Sequence, residues 1–383
     1  MNKKRFVWSF ITLGFMVLML LVAKPINSFA NESVSKAMED KINKNVVEFI
    51  STEKTFFDLQ GADFEAELVR ELYHTDDSVL AYYYQVKENG VLKGFVLASA
   101  KENIDFILEY GQFPDNVDTK YADVLLQNVD KKAYFLGLDF ILFANNKVEI
   151  AKLVEQEKEE AIEKAIENGE SVEVIQEIRN TKPGVDLEEM EYSFKSNINS
   201  ISLNNTVPDE YSLSITRIWQ RAQHVANPNS SCGPASGAMI ANYYGQVRGF
   251  NVRTTPYYAN VGTFINHLYF DMNSLPIGTN SFSFLNGLTL HLNHDVNQWE
   301  GVRNGEPTFA NVINAINKHY PVAYVTRLGN GEDYHWRVIK GYKKPQGQVI
   351  YKDSDGGESN YGDLVATWSL IQNQITTVYF RMK

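Results

Sequence analysis

The chain has a single cysteine, Cys232, in 383 residues. An internal disulfide is therefore impossible, and stability has to come from core burial. Long apolar runs are scarce too: after Phe6–Ala23 no stretch is long enough to cross a bilayer. Basic charge is not in excess. The net charge is −11, and neither half is basic enough to expect nucleic acid as a partner. Low-complexity tracts and internal repeats are also missing.

What is present begins with Lys3, Lys4 and Arg5, followed by the apolar run and by the small-x-small pattern Ser28-Phe29-Ala30. This pattern predicts a signal peptide over residues 1–30 and a secreted or extracellular cell-surface protein. Contact with a membrane is expected only through this segment, if it stays uncleaved. The absence of cysteine near the cleavage pattern argues against a lipid anchor. The remaining length suits two domains, and charge divides it. Thr206–Lys383 carries 14 Lys and Arg against 12 Asp and Glu, net +2, whereas Asn31–Asn205 is near −17. We expect an acidic α+β module over 31–192, a Ser/Asn-rich linker over 193–213, and a second domain over 214–383.

In the first module, Met38, Ile42, Val46, Val47 and Ile50 recur at helical spacing. Strand-like segments follow in "AELVRELYH" and "NIDFILEYG", and Asn89-Gly90 predicts a hairpin pairing Leu80–Val86 with Leu92–Ala98. After Tyr121 the pattern reads as helical, ending in a charged stretch broken at Gly169. In the second domain, "SITRIWQ" reads as a short strand, "CGPASGAMIANYYG" and "TFANVINAINKHY" as helices, and "PVAYVTRL", "HWRVIKGYKK", "GQVIYKDSDGG" and "TTVYFRM" as strands. Arg253–Gly305 reads as irregular and as the source of a specificity pocket. The class is α+β.

Asn229, Ser230 or Ser231 can cap the helix that starts at Cys232, with Pro234 in its first turn and Gly245 at its end. Backbone N–H groups and the positive end of a helix favour a thiolate. His335, opening a strand, is a candidate base. Asp353, ending the next strand, is a candidate orienting acid, with Asp355 as rival. Gln220 is a candidate oxyanion donor, with Gln223 as rival. His291 and His294 in "HLNHD" lack a third ligand at useful spacing, so no metal is expected and no cofactor either.

The order Gln220, Cys232, His335, Asp353, with "CGPASGAMIANYYG", "HWRVIKGY" and "DSDGG", resembles the bacteriocin-leader-peptidase-like family of cysteine peptidases over about Ser214–Lys383. The resemblance implies a papain-like fold, with the cysteine-bearing helix packed on an antiparallel sheet. It also implies a triad of Cys232, His335 and Asp353 acting on a peptide or protein substrate. "VLAYYYQVKENGVLKGFVLASAKENIDFILEYGQF" is similar to the propeptide of streptopain-type peptidases. That implies a pro-domain partnering the catalytic domain in cis, hence a zymogen. Acyl transfer, cell-wall amide hydrolysis and an inactive surface-binding or adhesion protein remain alternatives.

Overall fold

A computed structural model describes residues 27–61, 63–101, 106–113, 128–137, 140–167, 207–275, 278–326, 335–355, 362–372 and 375–383, with a few isolated positions between them. Residues 1–26 of the expected signal peptide, Gly169, and residues 193–206 of the expected linker lie outside the described residues. The apolar spacing expected near the start is found on helix α1, Asn27–Thr52. Among the described residues no helix is long and apolar enough to cross a membrane.

From Ile50 to Lys383 the chain forms one compact unit built on a single sheet of thirteen described strands. These are β1 (Phe64–Tyr73), β2 (Val79–Glu88), β3 (Val91–Ser99), β4 (Ile107–Gln112), β5 (Lys132–Gly137), β6 (Phe140–Ala144), β7 (Glu210–Ser212), β8 (Trp299–Asn304), β9 (Val322–Thr326), β10 (His335–Lys343), β11 (Gln348–Asp353), β12 (Leu364–Thr367) and β13 (Ile375–Met382). Their order is β6-β5-β1-β2-β3-β4-β12-β11-β10-β9-β13-β8, and β7 pairs with β10. Among the described pairs only β1 and β5 run parallel; the others are antiparallel.

The hairpin read from Asn89-Gly90 joins β2 to β3, with Glu88 opposite Val91. Asn89 has φ 51° and Gly90 φ 76°, so both turn residues are left-handed, as a two-residue turn matching strand twist requires. The helical reading after Tyr121 is corrected over residues 132–144, which form β5 and β6. Their aromatic and aliphatic side chains pack better on a sheet than on a helix. Helix α2, Lys147–Glu167, begins only afterwards.

In the second half, helices α3 (Cys232–Asn242), α4 (Val261–Asp271), α5 (Ser281–Leu292), α6 (Phe309–Asn317) and the short α7 (Trp368–Ile371) accompany the strands. Three expectations need correction. Ser214–Gln220 is not a strand: Arg217 and Gln220 bond to the backbone of residues 353–355 instead of forming a ladder. Arg253–Gly305 is not irregular, since it holds α4, α5 and β8. Its helices escaped notice because Asn260 and Asn280, which cap them, read as loop residues. Finally, α3 ends at Asn242 and continues as a π turn over Tyr243–Val247, so Gly245 is not its terminator.

One hydrophobic cluster runs from Leu80, Tyr83 and Phe95 through Cys232, Ala238 and Leu288 to Trp336, Trp368 and Phe380. The sheet passes from β4 to β12 with Gly111 opposite Leu364 and Glu109 opposite Ala366. Polar links accompany this ladder. Thr367 Oγ1 donates to the Ile107 carbonyl at 2.8 Å, Tyr351 donates to Glu109 Oε1 at 2.5 Å, and Lys343 lies 3.3 Å from Glu53 Oε2. A Cβ at Gly111 would sit 2.4 Å from Leu364 Cδ2 and 2.7 Å from the Phe95 ring. Gly111→Val is therefore expected to remove about 1–3 kcal/mol of stability by overpacking, read as a lower midpoint in urea unfolding of the full chain. An unchanged midpoint would mean that β4 and β12 do not meet this closely.

Candidate active site

Cys232 is the first residue of α3 and is 1% exposed. Ten of the helix's eleven residues are buried, which small side chains at Gly233, Ala235, Gly237 and Ala238 make possible. The capping differs from expectation. Ser231 holds the cap position without a side-chain cap bond, and its hydroxyl donates to the Asn227 carbonyl at 2.6 Å. A 3-10 turn, Pro228–Ser230, leads into the helix. That turn already directs the chain, so the hydroxyl serves the turn and not the helix.

The helix start and the start of β10 share an anchor. Thr279 crowds Gly233 so closely that a Cβ there would lie 2.6 Å from Thr279 Oγ1. The Thr279 carbonyl accepts from the indole of Trp336, the residue after His335. Helix α3 packs against β10.

Strand register sets the charged groups. Arg337 lies opposite Asp353, and His335, two residues earlier, shares its face. The His335 Nε2 to Asp353 Oδ1 distance is 2.8 Å, while Arg337 Nε donates to Asp353 Oδ2 at 2.7 Å. The Asp355 N–H donates to Asp353 Oδ1 at 2.9 Å, and Arg217 Nε donates to the Asp353 carbonyl at 2.7 Å. A carboxylate only accepts, so Nε2 of His335 is the donor and Nδ1 is the ring's basic nitrogen in the neutral form. Arg337 is 0% exposed. Burial by itself would lower its pKa, but Asp353, with Tyr351 and Glu109 adding to it, raises it instead, so the guanidinium stays charged. The ring of Tyr324 lies beneath it at 5.9 Å, and burial, then Asp353, raises the Tyr324 pKa well above its ordinary value.

The paired candidates occupy different settings. Asp355 is held by Arg221, Nε to Oδ1 at 2.9 Å and Nη2 to Oδ2 at 3.2 Å, while Asp353 meets His335. Gln220 is fully buried and Gln223 is exposed. The Gln220 N–H donates to the Ser354 carbonyl at 2.9 Å, and its Oε1 accepts from Ser354 Oγ at 3.0 Å. Its Nε2 donates to the Pro228 carbonyl at 3.0 Å. Gln220 thus ties the residue after Asp353 to the turn before Cys232. Arg337, Arg217, Ser354 and Thr279 were missed from sequence. Only Arg337 carried a signal, an i, i+2 spacing from His335 on a strand.

Residues 212–376, less than half of the chain, match the Peptidase_C39 like family. The match supports a cysteine peptidase of the C39 type over that stretch, and the mixed architecture of large sheet and helices is consistent with a papain-type fold. A solved structure from Bacillus anthracis, a protein assigned only provisionally as a C39-like peptidase, is similar at 16% identity. It covers 45% of this chain and 99% of its own, with a TM-score of 0.29, too low to bear on the fold. No curated protein matches the chain significantly.

Replacing Arg337 with Leu would leave the buried Asp353 without its fixed cation. Removing one partner of a buried pair costs about 3–5 kcal/mol. Arg337→Leu should lose that much in chemical denaturation, and Arg337→Lys, which keeps a cation but not the planar guanidinium, should lose less.

Proposed function

We propose that the chain is a secreted cysteine peptidase, made as a proenzyme, in which Cys232 is the nucleophile. The observation that carries this reading is the 2.8 Å contact of His335 Nε2 with Asp353, with His335 at the start of β10, next to Trp336, which shares the Thr279 anchor with the Cys232 helix. The Cys232 sulfur adds to the carbonyl carbon of a peptide bond, and its proton passes to Nδ1 of His335. The oxyanion is met by the Cys232 backbone N–H and by the second Nε2 hydrogen of Gln220, the first being held by the Pro228 carbonyl. As the C–N bond breaks, His335 returns the proton to the leaving amine, and water then hydrolyses the thioester. Asp353 orients the imidazole and stabilises it when charged; Arg337 holds Asp353 for that task.

Cys232→Ala and His335→Ala should each abolish peptide turnover and covalent labelling by a thiol-directed probe. Asp353→Asn should leave a small residual rate, because it removes orientation and not the proton carrier. Undiminished turnover in Cys232→Ala would sink the peptidase reading.

The proenzyme reading rests on the propeptide-like run Leu80–Phe113 and on the charge step between the two parts of the chain. The acidic first part is the inhibitory partner in cis, and the stretch Ser193–Leu213 is the processing site. Exposed ion pairs contribute only about 0–1 kcal/mol each, so raised salt alone should not activate the full chain. Cleavage within Ser193–Leu213 should. Turnover and probe labelling measured before and after such cleavage decide it: equal rates, with Cys232 already reactive in the intact chain, would remove the proenzyme from the proposal.

A further inference from the structure

A second chemical cluster lies on α4 and α5. His267 and Asp271 are one helical turn apart on α4, and His291 is in the last turn of α5. His267 Nε2 lies 3.2 Å from Asp271 Oδ2, and His291 Nδ1 lies 3.4 Å from the same oxygen. The three ligand atoms all fall within 4.8 Å of one another. Both imidazole nitrogens are buried, and neither makes a hydrogen bond.

The tautomer of His291 sharpens the case. Its Nε2 lies 2.9 Å from the Arg253 carbonyl, which can only accept, so Nε2 carries the hydrogen. In a neutral ring, Nδ1 is then a bare lone pair directed toward a carboxylate oxygen. His291 is 1% exposed and its Nδ1 has no hydrogen-bond partner. A cation between the groups would relieve that repulsion. An imidazole whose far nitrogen donates to a backbone carbonyl is the usual outer support of a metal-bound histidine. Tetrahedral zinc, with bonds of about 2.0–2.1 Å, places its ligand atoms about 3.3 Å apart, which the two distances above match. The Tyr258 ring shields the cluster at 5.0 Å from the His267 ring.

We propose that His267, Asp271 and His291 bind one divalent transition-metal ion, zinc by its nitrogen and oxygen ligands, and that the ion clamps α4 to α5. Water takes the fourth position. The pairing of His291 with His294 weighed from sequence is replaced: His294 is exposed and lies against Asp295 and Arg253. The spacing that would have revealed the site is His267-x-x-x-Asp271, which sets both groups on one helical face.

The test uses the full chain carrying Cys232→Ser, so that no thiol contributes. Zinc should bind at one ion per chain and raise Tm by about 5–10 °C at roughly a hundred times its Kd. Cobalt in its place should give the visible absorption of a four-coordinate nitrogen and oxygen site. His267→Gln and Asp271→Asn should lose both responses, and His294→Ala should keep them. The cobalt spectrum is read on the unaltered cluster, so the proposal does not depend on those variants folding. No Tm shift with zinc and no cobalt absorption would overturn it, leaving a proton-sharing His–Asp–His cluster. Loss of binding in His294→Ala would also overturn it, by moving the site to the surface.

Discussion

The pairing of Arg337 with Asp353 is the interaction around which the candidate active site is arranged. Two charges taken out of water are tolerated only when geometry is good and the remaining lone pairs are met. Asp353 satisfies that condition through His335 and the Asp355 N–H on one oxygen and Arg337 on the other. Its backbone is held by Arg217. The partners come from β10, from the residues just after β11 and from the segment before Cys232, so Asp353 acts as a junction. If it moved, the imidazole would lose its orientation, β10 and β11 would lose their fixed point, and the segment before Cys232 would lose its hold through Gln220 and Ser354. Misplacing any one partner strands a buried charge, and this makes the arrangement specific.

The sequence carried the parts of this site that have local signatures. A small-residue helix opening on Cys232, a strand opening on His335 and a strand ending in Asp353 all follow from periodicity and from flanking glycines. The partners that complete them are non-local. Arg217 is 136 residues from Asp353 in the chain, and the Thr279 contact with the Trp336 indole spans 57 residues; no spacing rule reaches that far. Gln220 and Gln223 could not be separated by sequence because they differ by burial, which depends on where the irregular segment docks. The segment was misread as a strand because its alternation of buried and exposed side chains imitates one.

The same division applies to the fold. The Asn89-Gly90 hairpin was legible because its turn residues must adopt positive φ. Strands β5 and β6 were not, since a run of aromatic and aliphatic residues carries no period of its own. The joining of β4 to β12 leaves no trace in either strand's sequence. It depends on two edges meeting that lie far apart in the chain, and on glycine at position 111 to let Leu364 approach.

That junction has a consequence for any shortened form of the chain. Strand β12 is bonded on one side to β11 and on the other to β4. A form lacking β4 would therefore expose a row of unpaired backbone donors and acceptors along Leu364–Thr367, an open edge of the kind that recruits other chains. The edge is only four residues long, which limits self-association. It would still be the natural place for an extended segment, from a second molecule or from the released part itself, to add as a strand.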